Sequence, residues 1–296
     1  MAYGTNAPFG LRPMNSINGG SWTEKVNEYE IYASADGSTT YATSLYTGDP
    51  VQWGVSMGAT PAANGLIGTI ARYNPTFADG TPSTFSAVPI LGVFMGCRYE
   101  AANSIGNTPH ISSPYWPASS LVKPGTKVIA YILDDPNVVF DIQVSTHIDA
   151  ADAAFVAKPF FPNPNATGGG AFVYAGTFGR NFGLNIGGGT NFNTIPTPYN
   201  TATNPSFYAN NPATGSSINF QSAFYADVDT STVAANDHDY AKNVTTLPLK
   251  AIGFTKNPLN VSDTALTLAT TPFLNILVII NNHVYGKAST PPVYVA

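Results

Sequence analysis

Hydrophobic and polar positions along this chain recur with the period of strands. The run Lys127-Val-Ile-Ala-Tyr-Ile-Leu133 is nearly continuous in apolar and β-branched residues. Asp134-Asp-Pro-Asn137 follows with the composition of a turn: proline presets φ, and Asp and Asn side chains bond their local backbone. Val138–Val144 then alternates, with Phe140, Ile142 and Val144 on one face and Asp141 and Gln143 on the other. Two such runs around a short turn predict a hairpin. Further strands are predicted over Glu28–Ala33, Pro50–Val55, Gly65–Tyr73, Leu91–Glu100, Ala171–Tyr174, Leu249–Phe254 and Phe273–Asn281, most of them closed by Gly, Pro, Asn or Asp. No strand–helix alternation appears. The pattern predicts an all-β fold, either an antiparallel β-barrel or a jelly-roll sandwich, with long loops. One short helix is predicted over Ile148–Val156, which is Ala-rich and carries Asp149 and Asp152 near its start, where carboxylates favour the dipole.

Two segments stand outside this pattern. Residues 1–25 combine Pro8, Gly10, Pro13, Gly19 and Gly20 with the isolated large side chains Phe9, Leu11 and Trp22. A segment so composed cannot build its own core. It is read as an extended N-terminal arm whose Phe9, Leu11 and Trp22 contact a neighbouring subunit. The second segment, 151–244, contains a stretch from Lys158 to Ala226 with no Asp or Glu and with only Lys158 and Arg180 as bases. A structureless loop of that length is improbable in a compact domain, so it is read as an elaborated, partly β insertion. The expected β core is then 26–150 together with 245–296.

Composition changes what the fold is expected to do. Only 10% of the 296 residues are charged, against about a quarter in ordinary soluble domains. Polarity is carried by neutral hydroxyls and amides, with 27 Gly and 24 Pro. Neutral polar groups enter a contact at far lower cost than ions, which suits a protein packed in an assembly. A secreted or cell-surface β protein has the same composition. The 12 Lys and Arg are scattered singly, which argues against direct nucleic-acid binding. The longest apolar run, Leu274–Ile280 with Asn275 inside it, is too short for a membrane-spanning helix, and the N-terminus lacks the basic start and apolar segment of a secretory signal. The single cysteine, Cys97, lies in the apolar run Ile90–Cys97 and is read as a buried small hydrophobe.

Motifs for chemistry are sparse. Asn236-Asp-His-Asp239, with Asp227 and Asp229 upstream, resembles a cation ligand set but is explained as a solvated turn-forming loop. Asp134, Asp135 and Asp141 could suggest paired carboxylates for acid–base work, yet the first two belong to a turn. The glycine triplets 168–170 and 187–189 lack the Lys-Ser/Thr that completes a phosphate loop. The expectation is a protein that is not an enzyme and has no cofactor or metal.

Three stretches carry a family resemblance. They are Ala7–Pro13 with Asn18-Gly-Gly20, Tyr46-Thr-Gly-Asp-Pro-Val51, and the set Ile132–Gln143, Leu249–Phe254 and Ile279–His283. Together they resemble structural proteins of tailed-bacteriophage virions of the capsid decoration or cement kind. Gly48–Val51 and Gly92–Gly96 also resemble the small barrel, β-tulip-like, of some head-decoration proteins. The resemblance implies a protein on the outer capsid surface of the virion, assembled in the host cytoplasm. Its implied partners are the major capsid protein and other copies of itself, with no membrane and no direct nucleic-acid contact. A receptor- or glycan-binding module on a tail or surface is the alternative, with the aromatic, Asn- and Gly-rich residues 158–226 as its binding region.

Overall fold

The computed structural model describes residues 9–23, 25–54, 68–73, 89–102, 110–118, 120–145, 181–186, 222, 224–227, 248–255 and 275–286. Among them the chain is all-β, with no helix. The helix expected over Ile148–Val156 and the strand expected over Ala171–Tyr174 lie outside the described residues.

One sheet closes on itself. Its strands are β2 (Asn27–Ile31), β4 (Pro50–Trp53), β5 (Ile70–Arg72), β6 (Gly92–Tyr99) and β9 (Val128–Leu133). They pair in the order β4-β5-β2-β9-β6, and β6 returns to β4. β7 (Ile111–Ser113) adds to the outer edge of β6, while β3 (Leu45–Tyr46) and β8 (Tyr115–Trp116) form a separate two-stranded ladder. The barrel alternative is therefore the one found, although it is mixed: β2 and β5 run parallel at Ile31 and Ile70. Period-2 alternation fills the interior. Val128, Ala130 and Ile132 of β9 point inward together with Ile31, Val51, Ile70 and Phe94. Trp116 is fully buried there and its indole N–H donates to the Tyr41 carbonyl at 3.1 Å.

The second sheet runs β1-β10-β12-β11-β13-β14, and β10 also pairs with β14. Its strands are β1 (Arg12–Ser16), β10 (Val138–Ser145), β11 (Asn181–Ile186), β12 (Phe224–Asp227), β13 (Leu249–Phe254) and β14 (Asn275–Ile280). Its core gathers Phe140 and Ile142 of β10, Leu249 and Ala251 of β13, and Ile276, Val278 and Ile280 of β14. The two cores adjoin where adjacent residues face opposite ways: Val93 joins one and Phe94 the other, as do Leu133 and Ile132.

One expectation is corrected here. The β9–β10 hairpin does not form. β9 pairs on its edges with β2 and β6, and β10 pairs with β1 and β14, so the turn at 134–137 is a corner between sheets. The near-continuous apolar run of β9 is that of a central strand, and long-range pairing took both of its edges. Strands from all three segments read in the sequence share this sheet: β1, from residues 1–25, and β11 and β12, from 151–244, stand in it with β10, β13 and β14.

Cys97 sits on β6 with no exposed surface, its thiol donating to the Tyr115 carbonyl at 3.3 Å. Burial pushes the thiol up to about 12. Cys97→Ala is expected to cost about 1 kcal/mol or slightly more through lost packing. The native protein is expected to resist thiol reagents, and rapid labelling without denaturant would contradict this placement.

Candidate functional site

The three N-terminal residues singled out from the sequence have different fates. Leu11 is fully buried in the second core. Its N–H donates to the Gly48 carbonyl at 2.9 Å. Trp22 packs half-buried against the same core, and its indole nitrogen is buried without a hydrogen-bond partner among the described residues. Phe9 is half-buried beneath the Arg12 guanidinium, 4.1 Å from its ring centroid. Leu11, expected to face a neighbouring subunit, thus has no surface left for one, while Trp22 and Phe9 keep part of theirs. The arm finds its apolar partner in its own chain, because β1 adds to the edge of β10 and carries Leu11 into the core. What the arm leaves outside is Met14, 45% exposed, and Ile17, 49% exposed. The β1 register slips between Pro13 and Asn15, leaving Met14 unpaired in the ladder. The Met and Ile in Arg12–Ile17 were legible in the sequence, but nothing there says which large side chain turns inward.

The arm is seated by a close backbone approach. Gly10 has φ of 73°, and a Cβ on it would collide with the Gly48 carbonyl and the Ser222 side chain. Gly48, with φ of 96°, occupies the turn position that demands a positive φ. That turn is fastened by Asp49, whose N–H donates to the Tyr46 carbonyl at 2.8 Å and whose carboxylate accepts the Tyr46 N–H at 3.0 Å. Asp49 is buried, and burial pushes its carboxyl up to about 6, with Arg72, Ser222 and the Tyr46 N–H opposing. Two of the stretches that carried the resemblance, Ala7–Pro13 and Tyr46–Val51, therefore meet here. Their glycines and acid serve packing.

The acidic residues of the β9–β10 corner divide their roles. Asp135 caps the turn, accepting from the Asn137 backbone N–H at 2.9 Å. Asp141 is buried on β10, accepts from the Thr255 hydroxyl and lies 4.0 Å from Arg12. Burial raises its carboxyl, with Thr255 and Arg12 opposing. Asp134 instead faces an open depression of about 750 Å3 with Lys25, Asn27, Glu28, Tyr29 and Tyr285 around it. It accepts from Asn27 Nδ2 at 2.8 Å and from the Tyr29 hydroxyl at 2.5 Å. Burial and this bond push the Tyr29 hydroxyl well above its ordinary range. The Tyr29 and Tyr285 hydroxyls lie 3.3 Å apart.

Tyr285 reaches β2 because the chain leaving β14 is pinned to the start of β6. Ile90 N–H donates to the Asn282 carbonyl at 2.8 Å, and Val284 N–H to the Ile90 carbonyl at 2.9 Å. Within that crossing His283 is buried; its Nδ1 accepts the Tyr285 N–H at 3.0 Å, and its Nε2 has no partner among the described residues. Sequence reading missed this cluster, since its members lie in three separate stretches with no motif between them.

Among the described residues no group of three or more His, Cys, Asp or Glu side chains is placed to hold a metal ion. Of the Asp227, Asp229 and Asn236–Asp239 set, only Asp227 is described, in β12 opposite Gly183 and Ser145. Comparison with protein-family models, curated proteins and solved structures finds no match to this chain. The class of protein that the structure defines is an all-β chain with a closed five-stranded mixed barrel.

Proposed function

We propose that this chain is a structural protein of a tailed-phage virion that binds and stabilises the capsid shell without being an enzyme. The observation that carries the reading is the N-terminal arm: Leu11 secures it to the body while Met14 and Ile17 stand half-exposed on a chain with few charges. The sparse ions support it further. Lys127 pairs with Glu30 at 2.8 Å and Lys123 with Glu100 at 2.9 Å, so these cations are engaged within the chain. Contacts to the shell and to other copies are then mainly apolar and neutral-polar, and repeated symmetric copies add avidity.

Screening by salt weakens exposed ion pairs but hardly touches apolar contacts. Attachment to particles is therefore expected to survive moderate salt. The double variant Met14→Asp, Ile17→Asp is expected to fold normally and to occupy fewer sites. Particles stripped of the protein are expected to fail at a lower temperature, by mass-action stabilisation of the assembled state. Electron micrographs of particles with and without the protein, over a salt series, test this. Density confined to the tail, or unchanged shell stability after complete removal, would overturn it.

A further inference from the structure

We propose that the depression between β2, the 134–137 corner and Tyr285 binds a neutral saccharide. Tyr285 is 55% exposed as a residue and lines an open space of about 750 Å3. Large aromatic side chains with so much free surface are informative when polar groups converge beside them. The ring is also held in place: its hydroxyl meets that of Tyr29, which Asp134 fixes in turn. A group oriented before the ligand arrives lowers the ordering cost of binding. An apolar ring face matches the C–H face of a pyranose, and the groups around it match the hydroxyls at the sugar's rim.

The hydrogen-bonding capacity fits. Asn27 Nδ2 reaches both oxygens of Asp134, and the Tyr29 hydroxyl reaches one of them. A carboxylate offers about four acceptor directions, which leaves one for a ligand hydroxyl. The lining carries Lys25 against Glu28, Asp134 and Asp135, so phosphate, sulfate or acidic sugars are disfavoured. A basic peptide is the weaker match. The Asp134 charge is already spread over the Asn27 and Tyr29 donors, and Glu28 faces Arg98 at 3.9 Å. What remains is an aromatic face with neutral and acceptor groups, the chemistry of a polyhydroxylated ligand. This proposal does not rest on the shell-binding reading: none of the lining residues is Met14 or Ile17, although Ile17 N–H donates to the Asn137 carbonyl at 2.8 Å at the end of the same corner.

The test is saturation-transfer NMR on the full chain, with maltose, lactose and N,N′-diacetylchitobiose as probes. At least one is expected to bind with a dissociation constant on the order of millimolar. Tyr285→Ala is expected to weaken it about tenfold, and Tyr285→Phe, which keeps the ring, to retain most of the signal. Urea midpoints equal to the parent's establish that both variants are folded. Transfer to none of the three sugars, or transfer undiminished by Tyr285→Ala, would overturn the proposal. So would a trilysine peptide binding at this depression while the sugars do not. Occupancy on particles is read separately, so failure here leaves the shell reading standing.

Discussion

Replacing Leu11 by alanine is expected to lower the stability of the protein by about 2–5 kcal/mol, the range for deleting most of a fully buried leucine. The side chain has no exposed surface and touches the core built by β10, β13 and β14. Domains are held by only about 5–15 kcal/mol, so a loss of this size is visible in any unfolding experiment. Gly10→Ala is expected to act in the same direction, because the backbone there has φ of 73° and an added Cβ meets the Gly48 carbonyl and Ser222. Strain of that kind costs about 1–3 kcal/mol. Met14→Ala, at an exposed position two residues from Arg12, is expected to change stability by less than about 0.5 kcal/mol. Removing residues 1–25 takes away Leu11, β1 and Trp22 together and is expected to leave the second sheet unable to hold its packing. Urea unfolding followed by tryptophan fluorescence checks the series. A Leu11→Ala midpoint equal to the parent's would show that the arm is only loosely seated.

The arm shows how far the sequence could be read. Its inability to build a core was evident from scattered apolar residues among prolines and glycines, and the structure supplies that core from elsewhere in the same chain. Alternation reports which side chains share a face, and β9 and β14 follow it closely. It does not report which edge a strand will pair with, so the neighbouring runs 127–133 and 138–144 looked like a hairpin although both had distant partners. Asp49 was illegible for a related reason. Gly-Asp-Pro has the composition of an exposed turn, and distant parts of the chain, Gly10, Phe94 and Ser222, close over it. The Tyr29–Tyr285 contact joins positions 256 apart, with no local signal to announce it.

The burial of Asp49 and His283 has opposite consequences for stability as the pH changes. Asp49 is pushed up from 3.8 to about 6, so between those values the folded chain keeps a proton that the unfolded chain has lost. Its contribution is fully present below 3.8 and is lost as the pH rises through about 6, a change of about 3 kcal/mol. His283 is pushed down from 6.5 to about 4, chiefly by burial, with Asp134 and Asp135 opposing. Its contribution is present above 6.5 and is lost as the pH falls through about 4, again about 3 kcal/mol. The two slopes overlap and nearly cancel between about 4 and 6 in the parent protein. Single variants separate them. Asp49→Asn cannot ionise and is expected to gain about 3 kcal/mol near neutrality, then to lose stability on acidification as His283 takes a proton. His283→Asn keeps an acceptor for the Tyr285 N–H and is expected to become more stable, relative to the parent, as the pH falls from about 6 to 4. Urea midpoints of the three proteins across this range give the slopes. An Asp49→Asn protein no more stable than the parent near neutrality would mean that the buried carboxylate is better compensated than Arg72, Ser222 and the Tyr46 N–H can account for.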